Sequence, residues 1–218
     1  MSAPALDVIR FETGPLQENA YLLFDRGSGD AVLADPGDDA DVLIAGIEQA
    51  AVTLRAIWLT HAHFDHVGAV KAVRMRFSVP VYLHEADIPM FEAGPFQAAS
   101  YGLPFDADVA PNERFTEGQG LRLGGLSFSV MHTPGHSPGH VVVHGHGIAL
   151  VGDCLFAGSI GRTDLPFGSG SLLGQSLRRI MALPSETRVL PGHGPETTIG
   201  IERRSNPWIL ELLGTEPR

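Results

Sequence analysis

The sequence predicts a layered α/β protein, with sheet at its centre and helices outside. Three observations carry this. Short apolar runs with strand character recur along the whole chain, four longer stretches have helical spacing, and the two kinds of element come in a particular order. Strands come first, strand and helix then alternate, and strands, a helix and a last strand follow. The pattern by itself fits one sheet or two.

The elements follow in chain order. Leu6–Phe11, Ala20–Asp25 and Ala31–Asp35 read as strands, with Gly and Pro marking the turns between them. Asp39–Ala51 has apolar residues at Val42, Leu43, Ile47 and Ala50. Acidic residues at its start complement the dipole of a helix. Ala56–Thr60 is a strongly apolar strand. Val67–Phe77 repeats apolar residues at Val67, Val70, Val73 and Phe77 and reads as one helix. Pro80–His84 is a strand, and Glu85–Ala93 a helix interrupted by Pro89. Leu126–Met131, His140–His144 and Ile148–Gly152 are strands. Ser171–Leu183 is a helix with a serine cap and apolar Leu173, Leu177 and Ile180. Arg188–Leu190 is the last strand, and Pro207–Leu213 adds a short helix.

Length and composition narrow the function. The 218 residues suit one domain, 1–218, or two small ones, and can bury a substantial core. No apolar run is long enough to span a bilayer, so no membrane partner is expected. The start, MSAPALDVIRFETG, lacks the basic and apolar regions of a signal peptide. Cys154 is the only cysteine, so no intramolecular disulfide can form, which suits a reducing compartment and a cytoplasmic location. The net charge is −10, and the basic residues form nothing larger than short pairs such as Arg203–Arg204. Such a chain repels phosphate at long range, so nucleic acid is not an expected partner. A small-molecule substrate, and a monomer or small homo-oligomer, are expected.

Ten histidines are placed unevenly. Three lie between 61 and 66 and five between 132 and 146. The sharpest motif is Thr60-His61-Ala62-His63-Phe64-Asp65-His66, between an apolar strand and an amphipathic helix. Two residues apart in an extended segment, His61 and His63 project to one side, and one metal can take both. As the chain turns into the helix, Asp65 and His66 can aim at a second point nearby. One loop cannot complete two sites. Three further segments, each at the end of a strand, offer ligands: His132–His140 with two Pro-Gly-His repeats, Gly152-Asp153-Cys154, and Pro191-Gly192-His193-Gly194. A polar residue at the end of a buried strand is a costly placement unless it has a partner.

THxHxDH, PGHSPGH, GDxLF and PGHG, in that order, resemble the metallo-β-lactamase superfamily. More narrowly, the chain is similar to the glyoxalase II branch in a short form without the C-terminal glutathione-binding domain. The resemblance runs from Asn19-Ala20-Tyr21 and Asp35-Pro36-Gly37 to Glu202–Trp208. It implies a four-layer αββα sandwich of two mixed sheets flanked by helices. It also implies a ligand set: His61, His63 and His136 for one divalent metal, Asp65, His66 and His193 for another, and Asp153 bridging them. Zinc is the expected metal, and iron or manganese suits the same donors.

The other candidates have blander readings. Either His136 or His140 can serve as ligand by position, and the family pattern picks His136. His132 is placed to hydrogen-bond near the site, His84 to cap or pack, and His144 and His146 to sit at the surface. Cys154 reads as a small buried residue. Asp35 reads as a residue orienting a ligand histidine or as a turn residue.

Two metals about 3.5–4 Å apart can share a water and lower its pKa toward neutrality. A metal-bridging hydroxide is then the expected nucleophile, with Asp153 and Asp65 as the carboxylates of the catalytic centre. A thiol leaves readily, with a pKa of about 8.5, so thioester hydrolysis needs no strong general acid. The glyoxalase II likeness implies S-lactoylglutathione or a related thioester as substrate. In that branch a Lys and a Tyr after the bridging Asp help hold glutathione. Those places are Arg162 and Asp164 here, and another family Tyr is Pro195. Arg162 is thus a candidate for a substrate carboxylate, or the partner of Asp164 in an internal salt bridge. The alternatives are a persulfide dioxygenase-like sulfur oxygenase, which shares the Gly-Arg-Thr-Asp stretch, a lactamase or phosphodiesterase of the same fold, and a non-enzymatic metal-binding module.

Overall fold

Neighbouring residues of a strand point to opposite faces of a sheet, and here the central strands of both sheets are buried on both faces. The computed structural model describes residues 6–105 and 109–214. The first five residues of the stretch read for a signal peptide, and both ends of the expected 1–218 domain, lie outside the described residues.

The first sheet runs in chain order through β1 (Leu6–Thr13), β2 (Glu18–Asp25), β3 (Asp30–Ala34), β4 (Thr53–Trp58), β5 (Val81–His84) and β6 (Glu113–Phe115). Its first three strands pair antiparallel and the others parallel. The second sheet is built from β7 (Gly120–Leu123), β8 (Leu126–His132), β9 (Val141–Gly145), β10 (Ile148–Gly152), β13 (Arg188–Pro191) and β14 (Thr197–Thr198). Its spatial order is β14-β13-β10-β9-β8-β7. It is also mixed, with β10 and β13 as its parallel pair. A small hairpin, β11 (Leu155–Phe156) and β12 (Ser159–Ile160), stands apart.

Three apolar cores separate four layers. Between the sheets lie Tyr21, Leu23, Val32 and Trp58 from one and Leu121, Phe128, Val143 and Leu150 from the other. Their strand neighbours face outward. Leu22 and Leu33 pack on Leu43 and Ile47 of α1 (Ala40–Gln49) and on Val70 and Val73 of α3 (Val70–Phe77). Ala149 and Val151 pack on Leu173, Leu177 and Ile180 of α6 (Gly170–Ile180), Ile199 of α7 (Ile199–Ser205) and Ile209 of α8 (Pro207–Leu213). This is the helix–sheet–sheet–helix sandwich of the expected class. Among the described residues, no helix is long and apolar enough to cross a membrane.

The predicted elements are present, with instructive differences. The single helix expected at Val67–Phe77 is two, α2 (Phe64–Val67) and α3. The Asp35-Pro36-Gly37 turn packs into the break: Ala69 donates to the Pro36 carbonyl at 3.0 Å, and a Cβ on Gly68 would collide with the Gly37 carbonyl oxygen. Pro89 does not interrupt a helix. It stands in the first turn of α4 (Ile88–Glu92), where its missing N–H costs nothing, after a 3-10 turn at Glu85–Asp87. The serine capping α6 is Ser169, which accepts from the Leu172 amide at 3.4 Å. The sequence reading omits α5 (Gly94–Ser100), α7 and the short strands β6, β7, β11, β12 and β14. Pro95 stands in the first turn of α5, where a proline is tolerated.

Trp58 is 3% exposed and meets Phe128 edge-on, at 5.7 Å between ring centres, across the intersheet core. Trp58→Ala is expected to destabilise the fold by about 3–5 kcal/mol. Urea unfolding monitored by far-UV circular dichroism checks this as a lowered midpoint.

Candidate metal centre

Strand ends bring the candidate residues together. After β4 the chain leaves the sheet with a bend at Thr60, His63 is extended, and α2 starts at once, so Asp65 and His66 sit in its one turn. His61 and His63 project to one side, their rings 4.9 Å apart, and the helical turn sets His66 only 4.1 Å from His61. Asp153 follows β10 and His193 follows β13. Because these strands are parallel neighbours, both residues emerge side by side. His136 comes from the loop between β8 and β9. The turn that aims Asp153 needs a left-handed residue, supplied by Gly152 at φ +44. A side chain there would strike Thr60 Oγ1.

All seven predicted ligand residues converge. The ligand atoms of His61, His63 and His136 lie within 4.8 Å of one another, as do those of Asp65, His66 and His193. Asp153 stands between the two groups. Its Oδ1 is 3.3 Å from His66 Nε2, and its Oδ2 is 3.5 Å from His136 Nε2 and 3.7 Å from His193 Nε2.

The surrounding protein fixes most ring orientations through Nδ1. His61 Nδ1 lies 3.0 Å from Thr60 Oγ1, whose hydroxyl donates to Asp35 at 2.6 Å. His66 Nδ1 faces Asp35 Oδ2 at 3.3 Å. His136 Nδ1 donates to the Arg162 carbonyl at 2.8 Å, and His193 Nδ1 to the Leu16 carbonyl at 3.1 Å. In these four the Nε2 lone pair points into the cluster. His63 is the exception, presenting Nδ1 at 2.8 Å from His136 Nε2.

Whether these residues fit a cation is tested by their unpaired atoms. His61 Nε2, both ring nitrogens of His66 and Asp153 Oδ1 are buried without a hydrogen-bond partner. Buried polar atoms are rarely left so. Burial, then the neighbouring His66, His136 and His63, hold His61 well below the ordinary imidazole range. Burial and His136 bring His63 down to about 3. Burial also opposes charge on His66, but Asp153, Asp35 and Asp65 raise it well above its usual value. Asp153, disfavoured as an anion by burial, is held far below the carboxylate range by His66, His136 and His193. Imidazole and carboxylate donors together are a set that suits divalent zinc, iron or manganese.

Several side chains near the cluster carry roles that the sequence reading did not assign. Asp87, fully buried, accepts from the Ala62 amide at 3.2 Å, the Ser137 hydroxyl at 2.7 Å and the Gly139 amide at 2.5 Å. It ties the His61–His63 loop to the His136 loop. Asn19 donates to the carbonyls of Pro191 and Gly194, and the Tyr21 hydroxyl to Pro191, steadying the His193 loop. Glu18 lies 3.7 Å from His66 Nδ1. The available signal was a polar pair, Glu18-Asn19, opening an otherwise buried strand.

The remaining candidates resolve individually. His140 is buried; its Nδ1 meets Thr133 Oγ1 at 2.9 Å, and its Nε2 accepts from the Asp153 amide at 3.2 Å. Asp35 has both of its anticipated roles, occupying a turn at φ +46 while facing His66. Cys154 is buried, which pushes its thiol up to about 12. His84 accepts from the Ala86 amide and stacks on His132 at 4.1 Å, so capping and packing coincide. His132 also donates to the Pro138 carbonyl. His146 is exposed and His144 half-buried. Arg162 forms a two-pronged pair with Asp164, at 2.7 and 2.8 Å, the internal salt bridge anticipated for it. His63, Asp65, His136, Asp153 and His193 lie on the floor of a cleft of about 750 Å³, with His61 and His66 outside its lining.

A sequence profile described as the metallo-beta-lactamase superfamily matches residues 13–193. The chain is 40% identical over 198 residues to hydroxyacylglutathione hydrolase GloC of Haemophilus influenzae, covering 88% of this chain and 93% of that one. The solved structure of BLEG-1 B3 metallo-beta-lactamase superposes with a TM-score of 0.88 at 43% identity, over 93% of this chain and 99% of that chain. TTHA1623 in a di-iron-bound form superposes with a TM-score of 0.84 at 45% identity, over 92% and 100%.

Asp87→Ala would leave three buried donors unpaired, a loss expected to lower stability by about 3 kcal/mol or more. Urea unfolding with an unchanged slope and a lower midpoint is the corresponding measurement.

Proposed function

We propose, for a chain that belongs to the metallo-β-lactamase superfamily, a metal-dependent thioesterase of the glyoxalase II kind, acting on S-lactoylglutathione or a related thioester. The observation that carries the reading is the buried, unpaired set of His61 Nε2, His66 Nε2 and Asp153 Oδ1, beneath a cleft that His63, Asp65, His136, Asp153 and His193 line. His61, His63 and His136 would hold one divalent metal. Asp65, His66 and His193 would hold a second, with Asp153 between them. Zinc is the metal proposed first, and the di-iron-bound form of a 45% identical chain makes iron the main competitor. Bound there, such ions polarise a carbonyl and make a water acidic enough to ionise near neutral pH.

The chain's own residues do the rest. Asp153, kept ionised, accepts a hydrogen bond from the attacking water and orients it. Asp65, whose Oδ2 is 3.3 Å from His193 Nε2, is the second carboxylate on the cleft floor. The Asp35–Thr60–His61 chain and the Arg162 and Leu16 carbonyls keep Nε2 lone pairs turned inward. The apolar cleft walls limit water around the scissile bond. A thiolate leaving group, with a parent thiol pKa of about 8.5, asks for no proton donor.

The sulfur-oxygenase alternative, with one iron on two His and one Asp, has a structural neighbour in ETHE1 from Myxococcus xanthus, 28% identical at a TM-score of 0.79, but gives Asp65, His66 and His193 no second metal to hold. Hydrolysis of a β-lactam is the second reading, favoured by the 43% identical chain titled a B3 metallo-beta-lactamase.

Thiol release from a thioester series including S-lactoylglutathione, with metal content measured on the same sample, tests the proposal. Turnover is expected, abolished by chelation and restored by metal. Asp153→Asn is expected to lower metal affinity or kcat/KM by at least about 100-fold. Turnover of nitrocefin with no thioester activity would move the assignment to the β-lactamase. An Asp153→Ala chain with undiminished turnover would leave the metals a structural role.

A further inference from the structure

The cleft above the buried histidines is walled largely by carbon. Leu16 from the β1–β2 turn, Phe96 from α5, Tyr101 just after it, Phe156 from β11, and Leu165 and Phe167 from the loop before α6 surround the opening. Phe96 is 80% exposed, Phe167 72% and Tyr101 51%. Aromatic side chains left in water around one opening mark a surface built to be covered. Phe167 adds a second sign. Its backbone sits at φ +71, a region costly for a bulky L residue, and the side chain gains little burial in return.

Charge is sparse on the same walls. Among the described residues lining the cleft, Arg162 is the only arginine or lysine, and Asp164 already takes its guanidinium through two hydrogen bonds. The pair is neutral as a unit. A thiol recognised through its carboxylates, as glutathione would be, has to displace Asp164 and leave that acid nearby. An uncharged chain meets no such competition.

We infer that the cleft takes a thioester whose acyl group is apolar, seated against Phe96, Tyr101 and Phe167, and that carboxylates on the thiol contribute little to recognition. This rests on the thioesterase reading above and specifies its substrate class. The reaction itself is ordinary hydrolysis. The C–S bond breaks, a C–O bond to water forms, and a carboxylic acid and a free thiol are released.

The metal-loaded chain is assayed on straight-chain acyl thioesters of N-acetylcysteamine, from acetyl to octanoyl, and on the lactoyl thioesters of N-acetylcysteamine and of glutathione. From acetyl to octanoyl, kcat/KM is expected to rise at least about tenfold, since each buried methylene adds to binding. Phe96→Ser and Phe167→Ser are each expected to cut that ratio at least about threefold. Arg162→Ala is expected to change the two lactoyl thioesters alike. A flat chain-length series overturns the apolar-acyl assignment and leaves the thioesterase standing, as does a loss in Arg162→Ala confined to S-lactoylglutathione. Absence of thiol release from every thioester removes both. A flat series with Phe96→Ser eluting at lower mass than the parent chain assigns the aromatics to a contact between copies, and also overturns the inference.

Discussion

A carboxylate buried among imidazoles is the constraint on which the rest of the structure turns. Asp153 lies within 3.3–3.7 Å of nitrogens on His66, His136 and His193, at the point where the two sheets end together. Burying an ionised group is expensive unless charge of the other sign meets it. The protein orients the surrounding rings so that donor atoms converge on Asp153, and His61 Nε2, His66 Nε2 and Asp153 Oδ1 are left buried without a hydrogen-bond partner.

Holding such a cluster requires rigid support, and the support is mostly hydrogen bonds to backbone. Asp87 clamps two loops, Asn19 and Tyr21 hold a third, and Asp35 reaches His61 through Thr60. None of these residues faces the cleft. The aromatic walls do face it, and they come from loops and a short helix outside the sandwich. Position and selectivity are thus divided between different parts of the chain.

Much of this was legible in the sequence because it is local. Alternating apolar runs such as Ile148–Val151 mark strands, and their two faces do enter different cores. His61, His63, Asp65 and His66 lie within one short motif, and the Pro-Gly-His and Gly-Asp segments stand at strand ends. What was not legible depends on distant packing. The break between α2 and α3 exists because the Pro36–Gly37 turn presses on Gly68, which no spacing near Val67 reveals. Asp87 carries no local sign of its role, since its partners Ala62, Ser137 and Gly139 lie far away in the chain. Short edge strands such as β6 and β14 take their form from a neighbour rather than from their own few residues.

The division of the chain between the sheets has a mechanical consequence. Residues up to Phe115 build the first sheet, and those from Gly120 onward the second. Neither part carries a whole candidate ligand group: His61 and His63 meet His136, and Asp65 and His66 meet His193. An ion bound by both groups would act as a clasp across the seam, joining what the polypeptide makes separately. Its grip would add to the cohesion of the two halves, and protein leaving the ribosome would close that clasp only after the later strands had docked.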